Sequence, residues 1–394
     1  MTDPASLLGA RPALAVYVHW PYCARICPYC DFNVALAKRP GEPEALLDAI
    51  LADLDGHREQ TGPRALASVF LGGGTPSLMA PDWAARIVER ARALWPPAGP
   101  VEVTLEANPT DAEAERFAGF AAAGVNRLSL GVQSLHDEAL AFLGRNHTAA
   151  EARRAADLAR DAFERLSIDL IYARPGQTPA AWAEELTAAL DLGPEHVSAY
   201  QLTIEPGTPF QRAVARGRWS PPGEDQSADL YKTTQGVLGE RGFDAYEISN
   251  HARGPAARSA HNLIYWRGGD YVGVGPGAHG RLSPVGEARI ATRAASRAGD
   301  YIRRVAKTGL GWADSETLSP REAALERLLT GLRTEEGVAF DDLAPLGLHG
   351  EHPLVARLAE AGLLRTLASR LVATGAGRLV LDRVIAELAQ AAYA

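Results

Sequence analysis

The sequence predicts an α/β protein: an open partial barrel of six βα units followed by a winged-helix-like α+β domain. Three observations lead there. Short apolar runs alternate with amphipathic stretches from Ala13 to about Glu205, the pattern of repeated βα units. A glycine-rich segment, Gly273 to Gly280, then changes the texture, and leucine-patterned helices mark the tail from Ser319 onward.

Strands are expected at Ala13–Trp20, Leu66–Gly72, Val101–Glu106, Arg127–Val132, Leu166–Tyr172 and His196–Ile204. After the first, Leu46, Leu47, Ile50, Leu51 and Leu54 share one helical face, and Pro43 suits a first turn, where its missing N–H has no partner to lose. The next helix opens at Pro81-Asp82, carries Ile87, Val88, Ala91, Leu94 and Trp95 on one stripe, and stops at Pro96-Pro97. Six parallel strands joined by right-handed crossovers are too few to close the usual eight-stranded barrel, so one side stays open. Sites are expected in the loops leaving the carboxyl ends of the strands.

The run GVGPGAHG, Gly273 to Gly280, is too glycine-rich for a helix interior and reads as a loop that lets backbones approach. In the tail, Leu325, Leu328, Leu329 and Leu332 mark one helix, and Val355, Leu358 and Leu363 flank a second that Gly362 could cap. A hairpin is expected to follow, with strands Leu371–Ala373 and Leu379–Leu381 around Thr374–Gly377. The expected divisions are residues 10–245 for the barrel, 246–312 for a glycine-rich extension and 313–394 for the last domain.

At 394 residues, 46% hydrophobic and 22% charged, the chain is ordinary for a folded protein and long enough for two or three modules. A net charge of -8 lacks the basic face that a phosphate backbone requires. The winged-helix-like tail is no exception, with eight Arg against ten Asp and Glu over residues 319–394. No nucleic-acid partner is expected. The opening MTDPASLLGARPALAVYV lacks a cationic region ahead of a long apolar stretch. No later run reaches the roughly 18 apolar residues of a membrane span, so a cytoplasmic protein is expected.

Only three cysteines occur, Cys23, Cys27 and Cys30, spaced C-x3-C-x2-C directly after the first strand. That window excludes a disulfide framework and favours a metal or redox site. Ordinary four-iron clusters use four cysteines. With three, the remaining iron can take the amino and carboxylate groups of S-adenosylmethionine (SAM) and pass an electron to its C–S bond. A zinc site completed by His19 or another donor is the alternative.

The whole segment YVHWPYCARICPYCDFN, Tyr17 to Asn33, resembles the signature of radical SAM proteins. Within them it resembles the branch holding oxygen-independent coproporphyrinogen III oxidase and its haem-chaperone relatives, and the resemblance covers nearly the entire chain. It implies a radical SAM barrel with a [4Fe-4S] cluster on the three cysteines. It also implies cofactor contacts for Tyr17, six residues before the first cysteine, and for Tyr29, which matches the aromatic that packs on the adenine. Gly73, Gly74 and Thr75, in the run Gly72–Pro76 after the second strand, would let the backbone approach the methionyl amine; alone, such a run is a plain turn. Glu106, Gln133, Arg145 and Asp169, at or just beyond strand ends, match further cofactor-binding positions. Chemically, a carboxylate can accept from ribose hydroxyls or an amine, while Gln and Arg can address ribose and carboxylate oxygens.

Two departures separate this chain from the oxidases. These usually carry a further cysteine two residues after the third, where Phe32 stands here, and a long extension ahead of the cluster, where this chain has a short leader. The hexapeptide His261-Asn262-Leu263-Ile264-Tyr265-Trp266 matches the HNxxYW motif that marks the haem chaperones. His261 or Tyr265 could ligate haem iron, Trp266 could wall the macrocycle and Asn262 could orient the histidine; alternatively, the hexapeptide anchors a loop across the barrel opening. His251 and His279 are further candidate ligands, and Tyr200–Thr208 is expected to line the cavity beneath the cofactor. The resemblance implies a haem chaperone that binds haem, a [4Fe-4S] cluster and SAM, and passes haem to an apo-acceptor such as a respiratory cytochrome. The competing expectations are coproporphyrinogen III dehydrogenase in porphyrin biosynthesis, and a radical methylase or haem-degrading enzyme on the same core.

Overall fold

The computed structural model describes residues 13–37, 39–284 and 288–391. The leader from Met1, the start of the barrel at residues 10–12 and the last three residues lie outside them. All six expected strands form and pair in parallel in chain order: β1 (Leu14–Trp20), β2 (Leu66–Gly73), β3 (Glu102–Ala107), β4 (Arg127–Gln133), β5 (Arg165–Tyr172) and β6 (His196–Gln201). The sixth stops short of Ile204, because the chain becomes irregular before the turn at Pro206-Gly207.

The sheet does not close. Its twelve strands run in the order β12-β11-β10-β9-β1-β2-β3-β4-β5-β6-β8-β7. Here β7 is Asp244–Ala245, β8 Asn250–Ala252, β9 Asp270–Val274, β10 His279–Leu282, β11 Ile290–Ala294 and β12 Trp312–Thr317. The segment Gly273–Gly280, expected as a loop, is in part strand: β9 pairs in parallel with β1 and turns back into β10. Its glycines permit that closeness. A Cβ at Gly273 would lie 1.9 Å from the His279 carbonyl oxygen, and one at Gly275 (φ 99°) would lie 2.2 Å from that of His19. Through β12, the large sheet continues past the division expected at residue 313.

The helix stripes read from the sequence face the sheet. Helix Glu42–Thr61 buries Leu46, Leu47, Ile50 and Leu54, and helix Pro81–Leu94 buries Ile87, Val88 and Ala91. Trp95 caps the latter and donates from its indole N–H to Thr61 Oγ1 (2.9 Å), so its polar edge is satisfied inside the core.

The tail has a separate apolar core built from Leu328, Leu332, Val338, Val355, Leu371 and Leu388. Its element order is winged-helix-like: helix Pro320–Gly331, strand β13 (Val338–Ala339), helix Phe340–Leu343, helix Pro353–Glu360, then a hairpin. The hairpin is not the expected one. It is formed by β14 (Leu364–Leu367) and β15 (Arg370–Ala373), whereas Leu379 ends one helix and Leu381 opens the next, with Val380 in the turn between them. Thr374 explains the difference: its hydroxyl accepts from the N–H of Gly377 (3.0 Å) and caps helix Gly375–Leu379 instead of starting a turn. Gly377 serves packing, since a Cβ there would lie 1.9 Å from the Leu363 carbonyl oxygen.

The two cores meet along a polar seam. Arg267 pairs with Glu336 (3.0 Å), Arg281 with Glu326 (2.7 Å) and Arg333 with the buried Glu247 (2.8 Å), while Arg327 donates to the Trp266 carbonyl (2.8 Å). On the barrel side, buried Asp270 accepts from Arg64 (2.9 Å) and from Ser283 N–H and Oγ (both 2.8 Å), fixing β9 to β2's approach and to the chain after β10. Removing one partner of such a pair strands the other's charge, so Asp270→Ala should lower unfolding free energy by about 3 kcal/mol. Urea denaturation checks this, and an unchanged midpoint would show the pair to be dispensable.

Candidate functional site

All three cysteines stand on the loop between β1 and helix Glu42–Thr61. Cys23 N–H donates to the Ala35 carbonyl (2.9 Å) and Ala35 N–H to that of Pro21 (2.8 Å), which closes the loop at its base. The Asn33 amide donates to the carbonyls of Pro276 and Ser296, both at 2.8 Å. His19 Nε2 lies 2.9 Å from the Asn33 carbonyl. A carbonyl only accepts, so this nitrogen carries the proton, and Nδ1 is left to accept from the Tyr17 hydroxyl (2.9 Å). With both ring nitrogens engaged, His19 is not free to complete a zinc site.

The loop faces a cavity of about 1260 Å³ at the carboxyl ends of the strands, lined by all three thiols and by Tyr29, Gly73, Gly74, Thr75, Glu106, Gln133, Arg145 and Asp169. Burial raises the Cys23 thiol and pushes that of Cys30 up to about 11. Without metal these are neutral thiols, and a cation must supply the field that ionises them. Arg145 reaches across the cavity with Nη1 at 3.5 Å from Cys27 Sγ and 3.4 Å from the Tyr29 hydroxyl; its Nη2 donates to the Gly131 carbonyl (3.1 Å) and to Asn108 Oδ1.

Gly73 and Gly74 are glycine for reasons inside the protein as well. A Cβ on Gly73 (φ 112°) would meet the His19 ring at 2.7 Å, and one on Gly74 the Pro21 carbonyl oxygen at 2.7 Å. Gly73 N–H donates to Glu106 Oε2 (3.0 Å), while Ser129 Oγ donates to Asp169 (3.0 Å). Burial, with Asp169 beside it, pushes the Glu106 carboxyl up to about 8; burial raises Asp169 too. Gln133 sits at a bulge of β4 with φ 62°, and its Oε1 is buried without a hydrogen-bond partner, as is Arg145 Nε. An acceptor and a donor left open in one polar cavity fit a ligand that carries hydroxyl, amine and carboxylate groups.

Other expected residues lie elsewhere. Tyr17 points into a second cavity of about 200 Å³, lined also by Phe70, Thr104, Arg127, His196, His261, Asn262 and Tyr265. Glu106 and Asp169 line both spaces and form the partition. The hexapeptide is helix Ala260–Trp266, and Glu102, the first residue of β3, accepts from the N–H groups of Ala260 (3.1 Å) and His261 (3.0 Å). It therefore plugs the amino ends of the strands, away from the thiols.

His261 is buried, stacks on Phe70 (4.9 Å), and has Nδ1 at 2.9 Å from Ser68 Oγ and Nε2 on the Tyr265 hydroxyl; burial alone holds its pKa near about 3. Trp266 lines neither cavity and stacks beneath the Arg333 guanidinium (5.2 Å). Nor do His251, on β8, and His279, on β10, line either one. The large cavity does take Tyr200–Thr203 and Glu205, from the end of β6 and the stretch after it.

Two parts of the site are not foreseen from the sequence. Asn108 donates to Thr75 Oγ1 (3.1 Å); its place just past β3 is the signal that could have found it. Arg333 and Arg378–Arg383 supply a wall, for which no local signal exists.

Comparison with known proteins bears on the family and the fold. The Radical SAM superfamily profile matches residues 17–189 and that of the HemN C-terminal domain residues 318–380. Heme chaperone HemW of Mycobacterium tuberculosis is 36% identical across 98% of both chains, and that of Bacillus subtilis 33% identical over 94% of this chain and 97% of its own. This chain belongs to the HemW family of radical SAM proteins. A bovine relative, radical S-adenosyl methionine domain-containing protein 1, mitochondrial, is 40% identical over 98% of this chain and 89% of its own. The solved coproporphyrinogen III oxidase (HemN) of Escherichia coli shares the fold, with TM-score 0.79 and 22% identity over 98% of this chain and 93% of that one. No helix among the described residues of this HemW-family chain is long and apolar enough to cross a membrane.

The raised Glu106 carboxyl gives a pH dependence with a definite sign. Unfolded, the group titrates near its ordinary 4.5; folded, near about 8. The folded state therefore disfavours its ionised form, and the ligand-free protein loses stability as pH rises across that interval. Glu106→Gln should flatten the decline in melting temperature between pH 5 and 8. An unaltered slope would show that Glu106 ionises freely.

Proposed function

We propose that this chain is a haem chaperone that holds a [4Fe-4S] cluster on Cys23, Cys27 and Cys30, binds SAM beside it, and passes haem to an acceptor protein. The main support is that three thiols of one loop share a cavity with unsatisfied Gln133 and Arg145 groups, in a chain alike from end to end to proteins named heme chaperone HemW. When bound, a cluster with one iron free of cysteine supplies an electron source and a chelation point for the amino acid part of SAM.

The chain's own residues then have distinct roles. Tyr29 offers its ring to the adenine, and the Gly73–Thr75 turn keeps side chains out of the way of the methionyl group. Gln133 Oε1 can accept from a ribose hydroxyl, and Arg145 Nε can donate to an oxygen. Glu106 and Asp169 place two carboxyls at the floor of the cavity, and a sulfonium nearby favours their ionised form. Phe32, where oxidases usually have a fourth cysteine, is 63% exposed and lines the same cavity.

Anaerobic reconstitution of wild type and Cys27→Ser tests the cluster. The variant should lose nearly all iron and sulfide and the broad cluster absorbance, and full retention would remove Cys27 from the site. Incubation of wild type with haem and, separately, with coproporphyrinogen III tests the activity. Stoichiometric haem binding without decarboxylation is expected; turnover without haem binding would make the chain an oxidase.

A further inference from the structure

The relatives' name says that haem is carried but not where, and the hexapeptide does not offer a seat. Its histidine is buried with both ring nitrogens engaged, and the small cavity beside it holds about 200 Å³, below the roughly 300–1,000 Å³ of ordinary ligand pockets. The large cavity, at about 1260 Å³, exceeds that range. It therefore has room for more than one small molecule.

Its rim is unusual. Of the nine exposed large apolar side chains among the described residues, four stand on two lips of this cavity: Ile26 and Phe32 on the cysteine loop, Leu379 and Val380 at the junction of the last two helices. Scattered exposed apolar residues mean little, but a group gathered around one opening marks a binding surface. Cations accompany them. Arg25 lies on the first lip, and Arg378 and Arg383 flank the second, with Arg383 largely exposed. Glu224 and Asp225 line another side, Asp31 stands on the first lip and Asp382 on the second, and Arg383 also pairs with Glu387 (3.0 Å), so the lips hold three guanidinium groups against two lining carboxylates. An apolar slot with arginines at its edges matches a flat apolar macrocycle with carboxylates along one side.

We propose that haem is seated at this mouth, its macrocycle between Ile26 and Phe32 on one lip and Leu379 and Val380 on the other, and its propionates toward Arg25, Arg378 and Arg383. The inference rests on the haem-chaperone reading. It also assigns a role to the tail domain, whose last helices form half of the haem site; the barrel alone lacks that half.

Full-length chain with its cluster reconstituted anaerobically is titrated with haem and followed by Soret absorbance. Val380→Asp and Arg383→Glu alter exposed positions and should leave cluster absorbance and melting temperature intact. Each should weaken haem binding about tenfold or more, as expected when one side chain's burial or one charge contact is lost. Val380→Leu should bind as wild type. His261→Phe, which breaks the buried contacts of the plug, should lower the melting temperature yet keep wild-type haem affinity below it.

Undiminished haem affinity in both Val380→Asp and Arg383→Glu would overturn the seat while leaving the chaperone reading standing. So would variants that bind haem normally but fail to hand it to an apo-cytochrome, since the mouth would then be the acceptor's surface. Failure of wild type to bind haem at all would overturn both.

Discussion

The cysteine loop is held by a single side chain more than by any other: Asn33, whose amide spans the Pro276 and Ser296 carbonyls while its own carbonyl takes the His19 proton. The two amide partners come from the β9–β10 turn and the chain after β11, and His19 from β1, so the antiparallel extension helps the βα units to fix the loop that carries the thiols. The fit is close. A Cβ on Gly277 would lie 2.5 Å from Asn33 Nδ2. A loop already tied in place loses less conformational freedom when it binds a ligand, which is how such ties strengthen a site without touching it.

A second constraint is electrostatic. Glu106 and Asp169 lie in a low-dielectric wall, and burial favours their neutral forms. In the same cavity, Arg145 is held by Tyr29, Asn108 and the Gly131 carbonyl next to Cys27. The cavity therefore holds both carboxyls that favour positive charge and a guanidinium that favours negative charge. A zwitterionic ligand carrying a sulfonium and a carboxylate can satisfy both at once.

Much of this is legible in the chain, and the exceptions have physical causes. The six strands, the helix stripes, the three thiols and the strand-end residues Glu106, Gln133, Arg145 and Asp169 follow from periodicity, spacing and resemblance, which are local properties. Strand β9 escapes a local reading because its run DYVGV owes its place to pairing with β1 across more than two hundred residues of sequence. The last hairpin is misplaced by such a reading because Thr374-Gly375-Ala376-Gly377 has turn composition, yet the threonine caps a helix. For Tyr17 the resemblance implies a cofactor contact; alternation along β1 turns its ring to the inner cavity and its hydroxyl to His19. For Arg378 to Arg383, no local pattern could reveal a wall formed by docking of a second core.

Docking also decides what the hexapeptide does. A partial barrel has two open ends, and each needs a cover of a different kind. At the amino ends, helix Ala260–Trp266 arrives with its N-terminus on the Glu102 carboxylate, a favourable match of helix dipole and charge. Its polar side chains turn inward, where Ser68 and Tyr265 satisfy His261. Every strong hydrogen-bonding group of the histidine is used in the closure, which is what a permanent floor requires. At the carboxyl ends, the cover is the tail domain, attached through arginine–carboxylate pairs and presenting exposed Leu379 and Val380 to the opening. A permanent lid would bury such residues against the barrel. Left at an open rim, they keep that end apolar and accessible, as the proposed haem seat requires.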